Sequence, residues 1–306
     1  MAGFIPGYYV RTKGRFDPTS AEPFRLSRSK IDLFVECPRC FYIDQRLGCG
    51  RPKSFPFNLN NAVDTLMKKE FDTHRADGTV HPLVQAYGLP FVPLKHKDLD
   101  LWRDAMRNGI SFNYQPANLI VRGGIDDVWH DPATGEIVIV DYKATSKEGE
   151  VSLDADWQIG YKRQIEIYQW LFTMNGFKVS PTGYFVYVNG KTDAAAFDAK
   201  LEFDLKLIPY TGKTDWIPRT LDTLAACLRD DRIPLASKHC EYCGYINAVS
   251  QSADSRVKPM KMSGVMPAPA TSPAKSVKAE KSAKSAQGSK AKEKKETKPK
   301  STEPLF

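Results

Sequence analysis

Asp141 ends a run of four β-branched residues, Ile137 to Val140, within the stretch "GEIVIVDYKATS". Such a run reads as a strand buried on both faces, and Lys143, two residues on, shares the face of Asp141. The preceding "ANLIVRGGIDDVWH" reads as a strand and "DPATGE" as a turn. A hairpin centred between Ala133 and Thr134 sets Asp126 opposite Asp141, with Cβ atoms about 4.5–5.5 Å apart. Two carboxylates that close repel each other, and both ionise only beside a cation. Mg²⁺ suits hard oxygen donors and keeps waters for a phosphate substrate, and the Tyr142 carbonyl adds a backbone donor. Lys143, beside a metal-bound water, would orient it, help deprotonate it, or offset charge building on a phosphate. This is a constellation for hydrolysing a phosphodiester. The plainer alternative is a pair of acids salt-bridged to Lys143 at a strand end.

The elements around these residues follow from periodicity. A long helix, "WQIGYKRQIEIYQWLFTMNG", comes next and ends at Gly176. Gln164 and Tyr168 lie four apart on one of its faces, with Tyr161, Ile165 and Phe172 beside them. A polar group at the edge of an apolar stripe has a specific partner, if only a backbone carbonyl. "TGYFVYVNG" and "KLEFDLKLIPY" supply two more strands, and "WIPRTLDTLAACLRDD" a last helix. Upstream, Ser27 or Ser29 caps a helix through "KIDLFVECPRCFYIDQRL" that Pro38 bends or restarts. "LNNAVDTLMKKEFDTHRA" and "KDLDLWRDAMRNG" read as two further helices, the second closed by Gly109. The order, α-rich and then ββαββα, implies an α/β fold around one mixed sheet flanked by helices. Two Gly-Lys-Thr stretches lack the earlier glycine and the strand–loop–helix setting of a phosphate loop, which excludes an ATP site there.

Two Cys-x-x-Cys pairs, Cys37 with Cys40 and Cys240 with Cys243, stand at opposite ends of this body, the second in a short knuckle, "HCEYCGY". Together they predict a four-thiolate site, and sulfur-only ligation fits Zn²⁺ or a [4Fe–4S] cluster. Cys49 and Cys227 are spare. The net charge of +8 is divided unevenly: residues 1–250 carry 31 basic and 31 acidic side chains, and the excess lies beyond them. That tail of Lys, Ala, Ser, Pro and Glu cannot bury enough surface to offset its ordering entropy and reads as disordered. It serves either as a solubilising tail or as a salt-sensitive tether to nucleic acid. With no apolar run of signal-peptide or membrane-spanning length, the cytoplasm is the default compartment and no membrane is expected.

"GGIDD", then "VDYK", then "QIEIY" resembles the core of the PD-(D/E)XK nucleases in their RecB-type branch, over roughly residues 27–245. The resemblance implies a restriction-endonuclease-like fold, Asp126 and Asp141 as ligands of Mg²⁺ or Mn²⁺, and Lys143 as the catalytic lysine. It also implies Gln164 and Tyr168 as site residues near DNA, whether single- or double-stranded. The family's metal-binding histidine on an early helix corresponds to Asp64 in "NNAVD", and aspartate also binds Mg²⁺. "SRSKIDLFVECPRCFY" is similar to the start of iron–sulfur RecB-type nucleases, which favours a [4Fe–4S] cluster held by Cys37, Cys40, Cys240 and Cys243. That branch has one cysteine upstream and three downstream, whereas here there are two and two. Its members often work beside a helicase or repair partner, although this chain carries no helicase motif.

The expected organisation is an irregular segment over 1–27, a nuclease domain over 28–248 stapled by the cysteine pairs, and a basic tail over 249–306. Metal-dependent DNA cleavage is the leading functional expectation. A catalytically inactive nucleic-acid-binding module of the same fold is the alternative, and a zinc-stapled scaffold whose tail recruits partners is a third.

Overall fold

The computed structural model describes residues 10–52 and 57–254. The basic tail from residue 255 onward lies outside the described residues, as do the first nine residues of the N-terminal segment.

The centre of the fold is a five-stranded mixed sheet of order β2-β5-β6-β7-β8. Its strands are β2 (Val92–Pro93), β5 (Asp127–His130), β6 (Ile137–Thr145), β7 (Thr182–Gly190) and β8 (Phe203–Thr211). Strands β5 and β6 pair antiparallel in the register expected of the hairpin, Asp127 with Val140 through His130 with Ile137. Strands β6 and β7 run parallel, so a crossover must join them. That crossover carries helix α6 (Ile159–Met174).

The central strands of the sheet are buried on both faces, and β6 shows why four β-branched residues stand in a row. Ile137 and Ile139 enter a large core with α6, α1 (Arg28–Glu36) and α7 (Trp216–Arg229). Val138, Val140 and Tyr142 enter a second core on the other face. There α3 (Asn58–Asp77) lays Met67 and Phe71 on the sheet, with Phe71 5.3 Å from Trp129 and 5.6 Å from Tyr142, centroid to centroid.

Four expectations need correction. The single strand expected over 117–130 is two strands in two sheets. Strand β4 (Leu119–Gly123) sits between β1 (Phe24–Ser27) and β3 (Ile110–Tyr114) in a three-stranded mixed sheet, and the chain then crosses to β5. Gly123 and Gly124 allow the crossing, since a Cβ at Gly123 would stand 2.6 Å from the Tyr168 ring and one at Gly124 2.4 Å from Ala105. Residues 24–27 are therefore a strand rather than irregular. The helix expected over 97–109 is the short α5 (Leu99–Arg103), because Asp104 turns back to accept the N–H groups of Met106 and Arg107. The cysteine knuckle opens a helix, α8 (Glu241–Asp254), which reaches past residue 249.

Pro38 takes the first turn of α2 (Pro38–Gln45), where its missing N–H costs nothing, so it restarts the helix. Ser27 is the N-cap of α1, but its hydroxyl meets that of Ser29 at 3.0 Å and caps no N–H. The short helix α4 (Pro82–Ala86) lies between α3 and β2.

Candidate active site and cysteine centre

Parity along the hairpin decides which acids meet. Strand β5 begins at Asp127, and Asp126 continues its register one residue beyond the ladder, opposite Asp141. The Asp126 carboxylate accepts the Tyr142 N–H at 3.1 Å. Lys143 pairs with Asp141, as the shared face requires, and its ammonium lies 4.4 Å from the centroid of the Tyr161 ring. On α6, Gln164 donates to Asp141 at 2.5 Å and accepts from Lys143 at 3.5 Å. The specific partners of that polar residue are thus the acid and the lysine.

Asp64 and Asp126 face a common cavity of about 320 Å³, with Tyr142, Lys143 and Tyr161 also in its wall. Asp141 is fully buried behind them. Between Asp64 and Asp126 stands Lys68, one turn along α3, its ammonium 2.9 Å from the first and 3.2 Å from the second. The sequence reading missed Lys68, although its spacing of four from Asp64 was the available signal. Tyr168 does not reach the cavity. It is buried and donates its hydroxyl to the Gly124 carbonyl, bracing the crossing that carries Asp126.

Crowding splits the two central acids. Burial pushes the Asp141 carboxyl up to about 7 despite the pull of Lys143, and the neighbouring Asp126 charge adds to the rise. Burial opposes the Asp126 carboxylate as well, but Lys68, Lys143 and the Tyr142 N–H outweigh it and hold that carboxyl below its ordinary range. Two acids whose environments push them apart in this way are a recurrent mark of a reactive site. Asp64 and Asp126 at the cavity wall, with Asp141 behind them, offer hard oxygen donors of the kind Mg²⁺ or Mn²⁺ takes.

Asp127, the next residue, faces the opposite side. It is fully buried and paired with Arg75 of α3 and Arg103 of α5, and it accepts the Tyr142 hydroxyl at 2.7 Å. Arg103 also donates to the Asp126 carbonyl at 3.1 Å and forks onto both oxygens of Asp72 at 2.9 Å. None of these residues except Tyr142 stood out in the sequence.

The family model of the PD-(D/E)XK nuclease superfamily matches residues 65–248, a span that holds Asp126, Asp141, Lys143, Gln164 and Tyr168. The chain belongs to the PD-(D/E)XK nuclease superfamily. No curated protein matches it. The superfamily match begins one residue after Asp64, so that departure from the expected histidine stands outside the matched span.

This superfamily member also carries a four-cysteine centre. The sulfurs of Cys37, Cys40, Cys240 and Cys243 all lie within 4.8 Å of one another. Cys37 is 3.8 Å from Cys243, and Cys40 is 3.5 Å from Cys240 and 3.6 Å from Cys243. The first pair comes from the junction of α1 and α2, the second from the start of α8, and the Cys37–Cys243 contact joins positions 206 residues apart. A metal with bonds of about 2.3 Å to four tetrahedral sulfurs sets them about 3.8 Å apart. The observed spacing fits one such ion, whereas a cubane seated between the sulfurs would hold them further apart. Burial opposes thiolate formation at Cys37, yet N–H and sulfur contacts, led by the Cys40 N–H, draw that thiol down to about 6. Arg51 donates toward Cys240 at 3.7 Å and lies 4.6 Å from the Tyr242 ring centroid, adding positive charge beside the sulfurs. Cys227 packs against the large core, and Cys49 lines a cavity beside Cys40 and Cys243.

Proposed function

We propose that the protein is a metal-dependent nuclease that hydrolyses phosphodiester bonds in DNA. The observation that carries this reading is the meeting of Asp126, Asp141 and Lys143 from two paired strands, where Asp126 and Lys143 share the wall of one cavity with Asp64 of α3 and Asp141 lies buried behind them. Asp64, Asp126 and Asp141 would hold Mg²⁺ or Mn²⁺, with the Tyr142 carbonyl as a further donor. When bound, such an ion polarises the scissile phosphate and acidifies a water. Lys143 keeps an ammonium beside Asp141, where it can orient the attacking water or meet charge developing on the phosphate. Gln164 fixes both partners through its amide, and Tyr168 acts from below by holding the Gly124 peptide.

The order of the Asp-x-Lys strand and the Gln164–Tyr168 helix supports placement in the RecB-type branch. The cysteine centre acts as a staple rather than a reactive site, since it ties α8 to the α1–α2 junction. Its sulfur spacing favours a single ion such as Zn²⁺, while the likeness to iron–sulfur members favours [4Fe–4S]. Metal content together with a visible absorption spectrum of anaerobically purified protein separates the two.

A non-cleaving nucleic-acid-binding module is the second reading, favoured by Lys68 lying where a cation would bridge Asp64 and Asp126. Labelled single- and double-stranded DNA, incubated with Mg²⁺ or Mn²⁺, distinguishes the two. Cleavage should require metal and fall at least about 100-fold in Asp141→Ala and in Lys143→Ala. Binding without cleavage under either metal would hand the function to the second reading.

A further inference from the structure

Asp64 and Asp126 face one cavity with Asp141 buried behind them, and two lysines, Lys68 and Lys143, pair with these acids. The two lysines are not equivalent. Lys143 pairs with the fully buried Asp141 and lies against the Tyr161 ring, so its place is compatible with a metal on the cavity side. Lys68 instead stands between Asp64 and Asp126, 2.9 and 3.2 Å away. Those are the two acids that face the cavity, and an ion bridging them would need the volume the ammonium fills.

We propose that Lys68 is a resident cation that competes with the divalent metal for Asp64 and Asp126, and so sets the metal affinity of the site. The inference rests on the metal-site reading above and concerns a positioning residue, which acts through the acids. An ammonium is a compact point charge on a flexible stem, and it exchanges for another cation without breaking a fixed fork. Its side chain is 23 % exposed, which leaves the ammonium a way out to solvent. With Lys68 in place the metal-free acids are partly neutralised, and the incoming ion must displace one ion pair at each of two carboxylates. After displacement the ammonium stays tethered to α3.

The distance of one helical turn from Asp64 explains the pairing. An aspartate where the family carries a histidine adds a negative charge, and a lysine four residues later on the same face offsets it. Losing that lysine should therefore strengthen metal binding. A residue with a purely structural role would weaken it or leave it alone.

The test is Mn²⁺ binding to the full-length protein, read by the electron paramagnetic resonance of free Mn²⁺ with no nucleic acid present. Lys68→Gln should bind Mn²⁺ about tenfold more tightly than wild type. Lys68→Arg, which keeps the charge, should stay within about twofold of wild type or bind more weakly. A second measurement needs no variant: acylation of the Lys68 amine, followed by mass spectrometry, should speed up when Ca²⁺ or Mn²⁺ is added. Wild-type binding with unchanged or weaker affinity in Lys68→Gln, or Lys68 acylation indifferent to metal, overturns the proposal and leaves the nuclease reading intact. If wild type and variants alike bind no Mn²⁺, the metal-site reading fails and the proposal falls with it.

Discussion

Asp126 and Asp127 are adjacent in the chain, yet each is built into a different kind of site. The period of two along the hairpin turns Asp126 toward the cavity and Asp127 toward the α3 core. Asp126 keeps 24 % of its side chain exposed and is paired with Lys68, a single-point charge. Asp127 is completely buried, is held by two guanidinium groups and accepts the Tyr142 hydroxyl. Guanidinium forks fix geometry, whereas ammonium groups can be exchanged for a metal. The difference teaches that the partner cation, more than the carboxylate itself, separates an acid that frames a site from one that performs in it. Tyr142 and Arg103 join the two faces, because Tyr142 gives Asp126 its N–H and Asp127 its hydroxyl, while Arg103 holds the Asp126 carbonyl and the Asp127 carboxylate.

The sharpest way to break this contrast is Asp127→Ala. It would leave Arg75 and Arg103 without their buried anion, a loss of roughly 3–5 kcal/mol of stability. In thermal denaturation that corresponds to a fall of the order of 10 °C for a domain of this size. An unchanged melting temperature would mean that Asp127 is no structural keystone. Arg103→Lys should be milder, about 1–2 kcal/mol, because one ammonium cannot serve Asp72, Asp127 and the Asp126 carbonyl together. It should also raise the Mg²⁺ concentration needed for cleavage, since the Asp126 peptide is then less firmly placed.

A further effect is in pH. Without metal, the Asp141 carboxyl lies at about 7 when folded against an ordinary value of 3.8. The folded state then holds a proton that the unfolded state has released, so this group's contribution to stability is full at low pH and is lost as pH rises from about 4 through 7. Asp126, lowered, has the opposite sign and acts at lower pH. A divalent ion replaces the proton, so metal affinity should rise by up to about tenfold per pH unit until neutrality and then level off. Urea unfolding between pH 5 and 7.5, with and without Mg²⁺, measures both trends.

Much of this contrast could be read in the chain. The β-branched run, the six-residue turn and the period of two were enough to set Asp126 opposite Asp141 and Lys143, because hairpin register is a local property. Gln164 could be located by helical spacing, and the cysteine pairs by their own. What escaped depends on distant segments. Lys68, Arg75 and Arg103 look like ordinary charges on amphipathic helices until α3 and α5 are laid against the hairpin. The switch between sheets at Gly123 and Gly124 looked like an uninterrupted strand, since its cause is the approach of Tyr168 and Ala105 from elsewhere in the chain. Tyr168 carried the right spacing for the cavity, but that same approach commits its hydroxyl to the Gly124 carbonyl.

The most direct test compares Asp126→Asn with Asp127→Asn, measuring for each both the melting temperature and metal-dependent DNA cleavage per folded molecule. The account predicts that Asp126→Asn folds with little loss of stability and cleaves at least about 100-fold more slowly. Asp127→Asn should melt well below wild type and yet cleave, once folded, within a few-fold of it. The same pattern in both variants, or cleavage untouched in Asp126→Asn, would contradict the division of the hairpin into a reactive face and a structural one.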